Sequence, residues 1–289
     1  MGEIDTLTKN YLSEKKRFAD LFNVLVFHRE EVDHTKLKEE DTSLTDPSLT
    51  IQRQRDVLKV MEDGKRKMVL LGVENQTNIH PRMPLRVMEY DALTYKRQKQ
   101  KHLIPVVTVV LYWGNGPWKG PRSLFDIMDP EYRERYRGIV QDYAIKVLAP
   151  YELEQRDLSA LKSDLRLVLQ AIKYSDDKEQ FLKVIEEDEG YRKVERKTAE
   201  LIGAVTGTEL VYNEEKEEVD MCEAIRQLMQ EATDKGIAQG VAQGVAQGEI
   251  KGAFHTALDL GKSEEDAYEY VSSRFQIPVS EIREILKRN

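Results

Sequence analysis

The stretch Met68-Val69-Leu70-Leu71-Gly72-Val73-Glu74-Asn75-Gln76 decides the fold. Residues 68–73 form an unbroken apolar run, which is typical of a short β-strand that is buried on both faces. Glu74 and Gln76 come directly after the run, and they point to the same side because strand residues two apart share a face. The sequence therefore predicts a buried strand that presents a carboxylate and an amide at its carboxyl end.

A second strand is predicted immediately before this one, over residues 55–61. The polar loop between the two strands contains Asp63-Gly64, a dipeptide that indicates a hairpin turn. If the strands pair antiparallel about this loop, Asp56 lies opposite Glu74 to within a residue or so, and opposed residues have Cβ atoms roughly 5 Å apart. Two carboxylates and an amide would then meet at the open end of the hairpin.

A glutamate at the mouth of a buried strand requires a partner, because an unpaired charge is costly to bury. Mg²⁺ is one such partner, since it binds a few carboxylates together with waters and phosphate oxygens. Arginine is another: Asp56 could pair with Arg55 or Arg53, and Glu74 could simply end its strand. The residues by themselves leave both interpretations open.

Several blocks of the chain, in this order and spacing, resemble the recombination-promoting nuclease family, whose members are also called YhgA-like putative transposases. This family belongs to the PD-(D/E)XK nuclease superfamily. The resemblance covers the first half of the chain well and the helical second half loosely. The blocks that carry it are residues 18–23, 55–56, 72–76, 83–92 and 105–114.

The resemblance implies an α/β fold with a PD-(D/E)XK-like nuclease core, in which helices flank a mixed central sheet. It also implies a metal-dependent DNA endonuclease associated with recombination or transposition. By this analogy Asp56, Glu74 and Gln76 are the catalytic residues. The expected Mg²⁺ or Mn²⁺ would be held by Asp56, Glu74 and the backbone carbonyl of Asn75, with Glu14 as a candidate additional ligand.

Glu14 belongs to a helix that the apolar spacing predicts over residues 1–28. In the superfamily an acid from this helix can complete the metal site, which makes Glu14 a candidate. The alternative is a solvated acid beside the cationic residues 15–17.

Gln76 departs from the superfamily pattern, in which a lysine is common at this place. A lysine can orient or activate the attacking water and offset developing charge, whereas a glutamine can only orient that water through hydrogen bonds. The metal would then contribute more of the activation. The departure also motivates a competing interpretation, a catalytically weak DNA-binding or assembly protein that keeps the nuclease fold.

Candidate DNA contacts follow the predicted site on a helix near residues 81–101. Arg86 and Tyr90 lie on one stripe of this helix, where they could bind phosphate, although Arg86 could instead pair with Glu89 or Glu74. The end of the helix carries the strongest basic cluster of the chain, which could contact phosphate or be an ordinary solvated helix end. The members of this basic cluster are Lys96, Arg97, Lys99 and Lys101.

The remaining pattern divides the chain into three predicted parts. The nuclease core occupies residues 1–150, with further strands predicted over 103–113 and 138–148, and a helical subdomain occupies 151–215. Residues 216–289 form a long helix with a Gly-x-Ala-Gln repeat and then small terminal helices. The repeat places glycine every four residues from Gly236 to Gly252, which weakens the helix by about 1 kcal/mol each. We expect this stretch to be a hinge or a helix–helix contact, and we predict a homo-oligomer formed through this tail.

Composition narrows the class of protein. The 289 residues carry a net charge of −8, which argues against a general nucleic-acid coat but allows a locally basic cleft. A single cysteine, Cys222, excludes a disulfide framework and a cysteine zinc site. Because no segment resembles a signal peptide or an apolar span of about 18 residues, we expect a cytoplasmic protein that binds DNA and no membrane.

Overall fold

The computed structural model describes residues 3–46, 51–210, 212 and 216–287. The apolar run quoted above lies in the longest of the strands within these ranges. In chain order the strands are β1 (Leu37–Glu39), β2 (Ser43–Asp46), β3 (Ile51–Gln54), β4 (Val57–Asp63), β5 (Arg66–Gln76), β6 (Val106–Tyr112), β7 (Lys146–Leu148), β8 (Val194–Glu195) and β9 (Glu218–Val219).

Five of these strands form a mixed central sheet in the order β1-β4-β5-β6-β7. β1 pairs antiparallel with β4 and β4 with β5, whereas β5 with β6 and β6 with β7 pair parallel. The predicted hairpin is confirmed, because Val57 lies opposite Val73. This register places Asp56, the residue before β4, opposite Glu74.

Helices cover both faces of this sheet, as predicted for the α/β class. In chain order the helices are α1 (Glu3–Ser13), α2 (Lys15–Phe22), α3 (Met83–Lys96), α4 (Pro130–Arg135), α5 (Gln155–Ala160), α6 (Leu165–Tyr174), α7 (Lys178–Glu187), α8 (Arg196–Thr206), α9 (Met221–Asp259), α10 (Glu264–Phe275) and α11 (Val279–Lys287). None of the helices in the described ranges is long and apolar enough to cross a membrane.

The two faces of the sheet pack against different helices. Leu71 and Val73 of β5 belong to a large hydrophobic cluster that includes residues of α1, α2, α6 and α8. On the opposite face, α3 covers the sheet, where its Val87 packs in one cluster with Val110 of β6. Because side chains alternate along a strand, Glu74 lies on the face covered by α3.

Two predicted segments differ from the structure in detail. The helix predicted over residues 1–28 is divided into α1, α2 and a π-helical turn, Asn23–Phe27, which ends where His28 adopts a left-handed φ of 53°. The strand predicted over residues 138–148 is reduced to β7, because only the residues beside β6 find a strand to pair with.

The chain divides into two compact units, Met1–Ile225 and Arg226–Asn289. In the first unit one hydrophobic cluster joins the sheet to the helices that follow it, since Leu71, Leu169 and Ile202 are all fully buried in it. The predicted helical subdomain therefore shares its core with the predicted nuclease core, and the predicted boundary at residue 215 lies outside the described residues. The second unit has a separate cluster, formed by Ile250, Phe254, Ala257, Ala267, Val271 and Ile282.

Candidate functional site

Asp56 and Glu74 lie opposite each other in register at the open end of the β4–β5 hairpin, since Val57 pairs with Val73. Asp56 is half-buried, and its Oδ2 accepts a hydrogen bond of 2.8 Å from the backbone N–H of Asn75. Glu74 is completely buried. The predicted opposition of these two residues is thus confirmed by the register of the hairpin.

Arg55, the residue before Asp56, is the direct partner of Glu74. Its side chain is fully buried, and its Nε donates a hydrogen bond of 3.2 Å to Oε1 of Glu74. The guanidinium reaches this position by lying over Gly72: a Cβ at residue 72 would be 2.6 Å from Nη2 of Arg55. The glycine in the apolar run therefore makes room for the ion pair.

Three side chains from other elements hold the guanidinium of Arg55 in place. Its Nη1 donates to Oγ1 of Thr94 at 3.1 Å and lies 3.2 Å from Oδ1 of Asp91, while Nη2 donates to Oγ1 of Thr108. Asp91 also accepts hydrogen bonds of 2.5 Å from the hydroxyls of Thr108 and Tyr143. One buried arginine is thus shared between two carboxylates, Asp91 and Glu74.

Burial dominates the electrostatics of both carboxylates at the mouth of the hairpin. It raises the pKa of Glu74 to about 8, although the positive charge of Arg55 opposes this rise, and the charge of Asp56 adds to it. Burial also raises the pKa of Asp56, against the lowering effect of its hydrogen bond from Asn75. Both carboxyl groups are therefore poorly compensated, and an added cation would stabilise their charged forms.

The second oxygen of Glu74 has an unusual environment. Oε2 is buried and accepts no hydrogen bond from any residue that the structure describes. Nη2 of Arg86 lies 3.7 Å from it, which is too far for a hydrogen bond. A buried carboxylate oxygen without a hydrogen-bond donor is costly, and an ion that binds there would remove the cost.

This donor set fits Mg²⁺ better than a metal that needs many protein ligands. Within the described ranges no group of three or more histidine, cysteine, aspartate or glutamate side chains is placed to hold a metal ion. Asp56 and Glu74 offer two carboxylates, and Mg²⁺ usually binds through one or two carboxylates together with waters and substrate phosphates. The pair is therefore compatible with Mg²⁺ or Mn²⁺ bound in company with a nucleic acid.

The two residues that follow Glu74 interact with each other. Nε2 of Gln76 donates a hydrogen bond of 2.7 Å to the backbone carbonyl of Asn75, the carbonyl that the family resemblance implies as a metal ligand. The side chain of Asn75 serves a different purpose, because its Oδ1 accepts a hydrogen bond of 2.9 Å from Nε1 of Trp113. Both side chains are buried, so they support the end of β5 from either face.

The structure places Glu14 in an ion pair with Arg17, at 2.7 Å. The acid of α1 that acts on the hairpin is Asp5. Burial is the largest effect and raises the pKa of Asp56, and the negative charge of Asp5 raises it slightly further. The hydrogen bond from Asn75 and the charges of Arg86 and Lys9 lower this pKa. Sequence analysis missed this residue. The only signal for it is the spacing of Asp5 and Lys9, which puts them on one side of α1.

Arg86 and Tyr90 share one side of α3, as their spacing predicted. Both lie beside Glu74 of β5. Nε of Arg86 donates a hydrogen bond of 3.0 Å to the hydroxyl oxygen of Tyr90, and Nη2 of Arg86 lies 3.7 Å from Oε2 of Glu74, one of the two acids considered as its partners. The side chain of Arg86 remains 30% exposed, so that it can reach a ligand. Burial raises the pKa of Tyr90, and its hydroxyl therefore keeps its proton at neutral pH.

The basic cluster lies away from the two carboxylates. Lys96 ends α3, ten residues after Arg86, which corresponds to about 15 Å along the helix. Nη1 of Arg97 donates to the backbone carbonyls of Asp41 and Ser43 at 3.1 and 2.6 Å, so this arginine holds the start of β2 and the loop before it. Lys99 and Lys101 are exposed in the loop before β6.

Comparison with family models matches residues 3–200 to the family described as "Putative transposase, YhgA-like". The match covers well over half of the chain and includes the whole hairpin, α3 and β6. The chain belongs to this family. Neither the curated proteins nor the solved structures contain a match.

Membership of the YhgA-like family confirms the resemblance found in the sequence, and it points to a role in transposition or recombination with DNA as the partner. The matched range ends within α8. The Arg55–Glu74 pair and the Arg86–Tyr90 pair thus lie in the part that the YhgA-like family shares, whereas the glycine-repeat helix α9 lies outside it.

Proposed function

We propose that this protein is a metal-dependent endonuclease that hydrolyses DNA phosphodiester bonds. The observation that carries the proposal is the opposed pair of Asp56 and Glu74, in which Oε2 of Glu74 is buried without a hydrogen-bond donor among the described residues. A buried acid with a raised pKa and an oxygen that lacks a donor is a candidate functional group in a family linked to transposition, because perturbed carboxylates cluster at active sites.

Asp56, Glu74 and the carbonyl of Asn75 would hold Mg²⁺ or Mn²⁺. When bound, the ion would act as a Lewis acid on the scissile phosphate and lower the pKa of an attacking water. Arg55 binds Oε1 of Glu74 from the protein side, which leaves Oε2 for the site. The N–H of Asn75 fixes Asp56 in the same way, by engaging one of its two oxygens.

The remaining residues would position the substrate and the water. Arg86 and Tyr90 are already joined by a hydrogen bond, so the guanidinium and the phenol can approach the scissile phosphate as one unit. Gln76 would orient the water through Oε1 or the second N–H of its amide, because its hydrogen bond to the carbonyl of Asn75 uses only one of the two N–H groups. That carbonyl keeps a second lone pair, through which it would serve as a ligand.

A plasmid-nicking assay in Mg²⁺ and in Mn²⁺ tests this proposal. We expect the wild-type protein to nick supercoiled DNA, and Asp56→Asn and Glu74→Gln to lower the rate by at least about 100-fold, as the loss of a group that stabilises the transition state does. Glu179→Gln, on the exposed surface of α7, is the matched control and should nick at the wild-type rate. Wild-type rates in both site variants would refute the site.

A second candidate function is DNA binding or assembly without catalysis. It is favoured by Gln76, because a neutral amide stands where a lysine is common in the superfamily, and one of its N–H groups already binds the carbonyl of Asn75. In this case the protein should retain DNA equally with Mg²⁺ and with EDTA, and no nicking should occur with either metal ion. Metal-dependent nicking that Asp56→Asn abolishes would exclude it.

We also propose that the protein self-associates through α9. Along this helix Ile237, Val241 and Val245 are 57–60% exposed. At the repeat glycines from Gly236 to Gly252 an added Cβ would meet no other described atom within 4 Å. A second helix could approach the glycines closely and cover the apolar side chains, which would offset the low helix propensity of the repeat.

A further inference from the structure

A cavity of about 570 Å³ opens at the end of the central sheet opposite to Asp56 and Glu74. Two segments far apart in sequence line it: residues 66–68 at the start of β5, and residues 100–105 in the loop before β6. They meet because β5 and β6 run parallel with Leu70 beside Val106, so that the loop after α3 lies next to the hairpin turn.

The rim of this cavity carries uncompensated positive charge. Arg66 and Lys101 line it, Lys99 is adjacent in the same loop, and none of these three forms an ion pair with a residue in the described ranges. The nearby acids are already neutralised. Their pairs are Glu40 with Lys67 at 2.5 Å, Glu62 with Lys38 at 2.5 Å, and Asp63 with Lys36 at 3.2 Å.

The floor of the cavity is apolar and exposed. Met68 is 40% and Leu103 57% exposed, so both present apolar surface to the solvent. Cationic groups around an apolar floor suit a nucleic-acid backbone, in which phosphate oxygens alternate with sugars. Contacts to phosphate and sugar position a protein on a duplex without reading its sequence.

Helix α3 connects the cavity to the carboxylate pair, because its first turns lie beside Glu74 and the loop after its last turn lines the cavity. A bulge in β5 leaves Met68 without a partner between the Met61–Val69 and Glu62–Lys67 pairs, so the alternation that holds for Leu70, Gly72 and Glu74 does not extend to Arg66. Arg86 contacts Glu74 near the start of α3, and the hydroxyl of Tyr95 near its end accepts a hydrogen bond of 3.0 Å from the N–H of Val106. The six-residue separation of Met68 and Glu74 along β5 corresponds to roughly 20 Å.

We infer that this cavity, lined by Arg66, Met68, Lys101 and Leu103 with Lys99 beside it, binds the phosphate backbone of the same DNA duplex that enters the Asp56–Glu74 site. A distance of roughly 20 Å corresponds to about six base pairs at 3.4 Å each, so one duplex reaches both places. The net charge of −8 keeps most of the protein surface from competing for DNA. The inference rests on the proposed function for the position of the bond that is cleaved.

The test compares two triple variants of the full chain for binding to a 30-base-pair duplex of arbitrary sequence. In EDTA no cleavage occurs, and fluorescence anisotropy at several salt concentrations reports binding alone. The variant Arg66→Ala, Lys99→Ala, Lys101→Ala should bind at least about 10-fold more weakly in 0.1 M salt, and its slope of log K against log salt should fall by roughly 2 to 3. The matched control is Lys16→Ala, Lys178→Ala, Lys197→Ala, three exposed lysines on the helices of the opposite face.

We expect the control triple to bind within two-fold of the wild type. Equal affinity and equal salt dependence of the two triples would overturn the inference. The nicking assay separates this outcome from a failure of the proposed function. Nicking together with an unchanged salt slope would reject the cavity and keep the nuclease, whereas weakened binding without nicking in the wild type would reject the nuclease and keep the cavity as a DNA contact.

Discussion

Glu74→Gln should stabilise the metal-free protein increasingly as the pH rises from 5 to 8. Burial raises the pKa of Glu74 from 4.5 to about 8 in the folded protein. Between these values the unfolded chain has lost a proton that the folded protein still holds, so the stability conferred by the protonated form is complete below pH 4.5 and is lost as the pH rises through about 8. Glutamine resembles the neutral acid and does not titrate.

The magnitude follows from the size of the shift. A difference of 3.5 pKa units, from 4.5 to about 8, corresponds to about 5 kcal/mol over the whole window, or about 1.4 kcal/mol for each pH unit within it. The free energy of unfolding of Glu74→Gln minus that of the wild type should therefore increase by about 4 kcal/mol between pH 5 and pH 8. Arg55 keeps Asp91, Thr94 and Thr108 as partners in this variant, so its buried positive charge stays compensated.

Urea unfolding followed by tryptophan fluorescence in EDTA measures this difference. Both tryptophans of the chain, Trp113 and Trp118, are buried in the first compact unit, so the signal reports the unfolding of that unit alone. The surface variant Glu179→Gln should follow the wild-type pH profile. A constant stability difference between Glu74→Gln and the wild type across this range would show that Arg55 keeps Glu74 charged throughout, and the burial argument would be wrong.

Three further outcomes are expected. Gly72→Ala should destabilise the first unit by about 3 kcal/mol in the same urea assay, because its Cβ would lie 2.6 Å from Nη2 of Arg55 and displace a buried ion pair. A free energy of unfolding within about 0.5 kcal/mol of the wild type would contradict the placement of Arg55. Mg²⁺ should raise the urea midpoint of the wild type, and the rise should be larger at pH 8 than at pH 6 because binding expels the proton of Glu74. Mg²⁺ should not raise the midpoint of Asp56→Asn. An equal rise in that variant would exclude Asp56 as a ligand. A chain that ends at Asp234 should sediment with a smaller assembly mass than the full chain, and a full chain that is already monomeric at micromolar concentration would refute self-association through α9.

The amino-acid sequence by itself determined the hairpin and the opposition of its two carboxylates. The apolar run, the Asp63-Gly64 turn and the alternation of side chains are all local, and a hairpin register depends on little else. Asp56 and Glu74 are eighteen residues apart in sequence, yet the turn between them brings them together in the way the pattern predicts. The family was also evident from the order of its sequence blocks, which the family match over residues 3–200 confirmed.

The tertiary structure decided which charges surround that pair. Nothing in the periodicity of the sequence shows that Arg55 crosses Gly72 to reach Glu74, or that Asp91 of α3 shares the same guanidinium. Likewise, Glu14 pairs with Arg17, whereas Asp5 is the acid of α1 whose charge acts on Asp56, beside the larger effects of Arg86 and Lys9. Periodicity reports which face of an element is apolar, whereas the partner of a charged side chain depends on how separate elements pack. For the same reason the cationic cavity became visible only when the parallel register of β5 and β6 brought its two segments together.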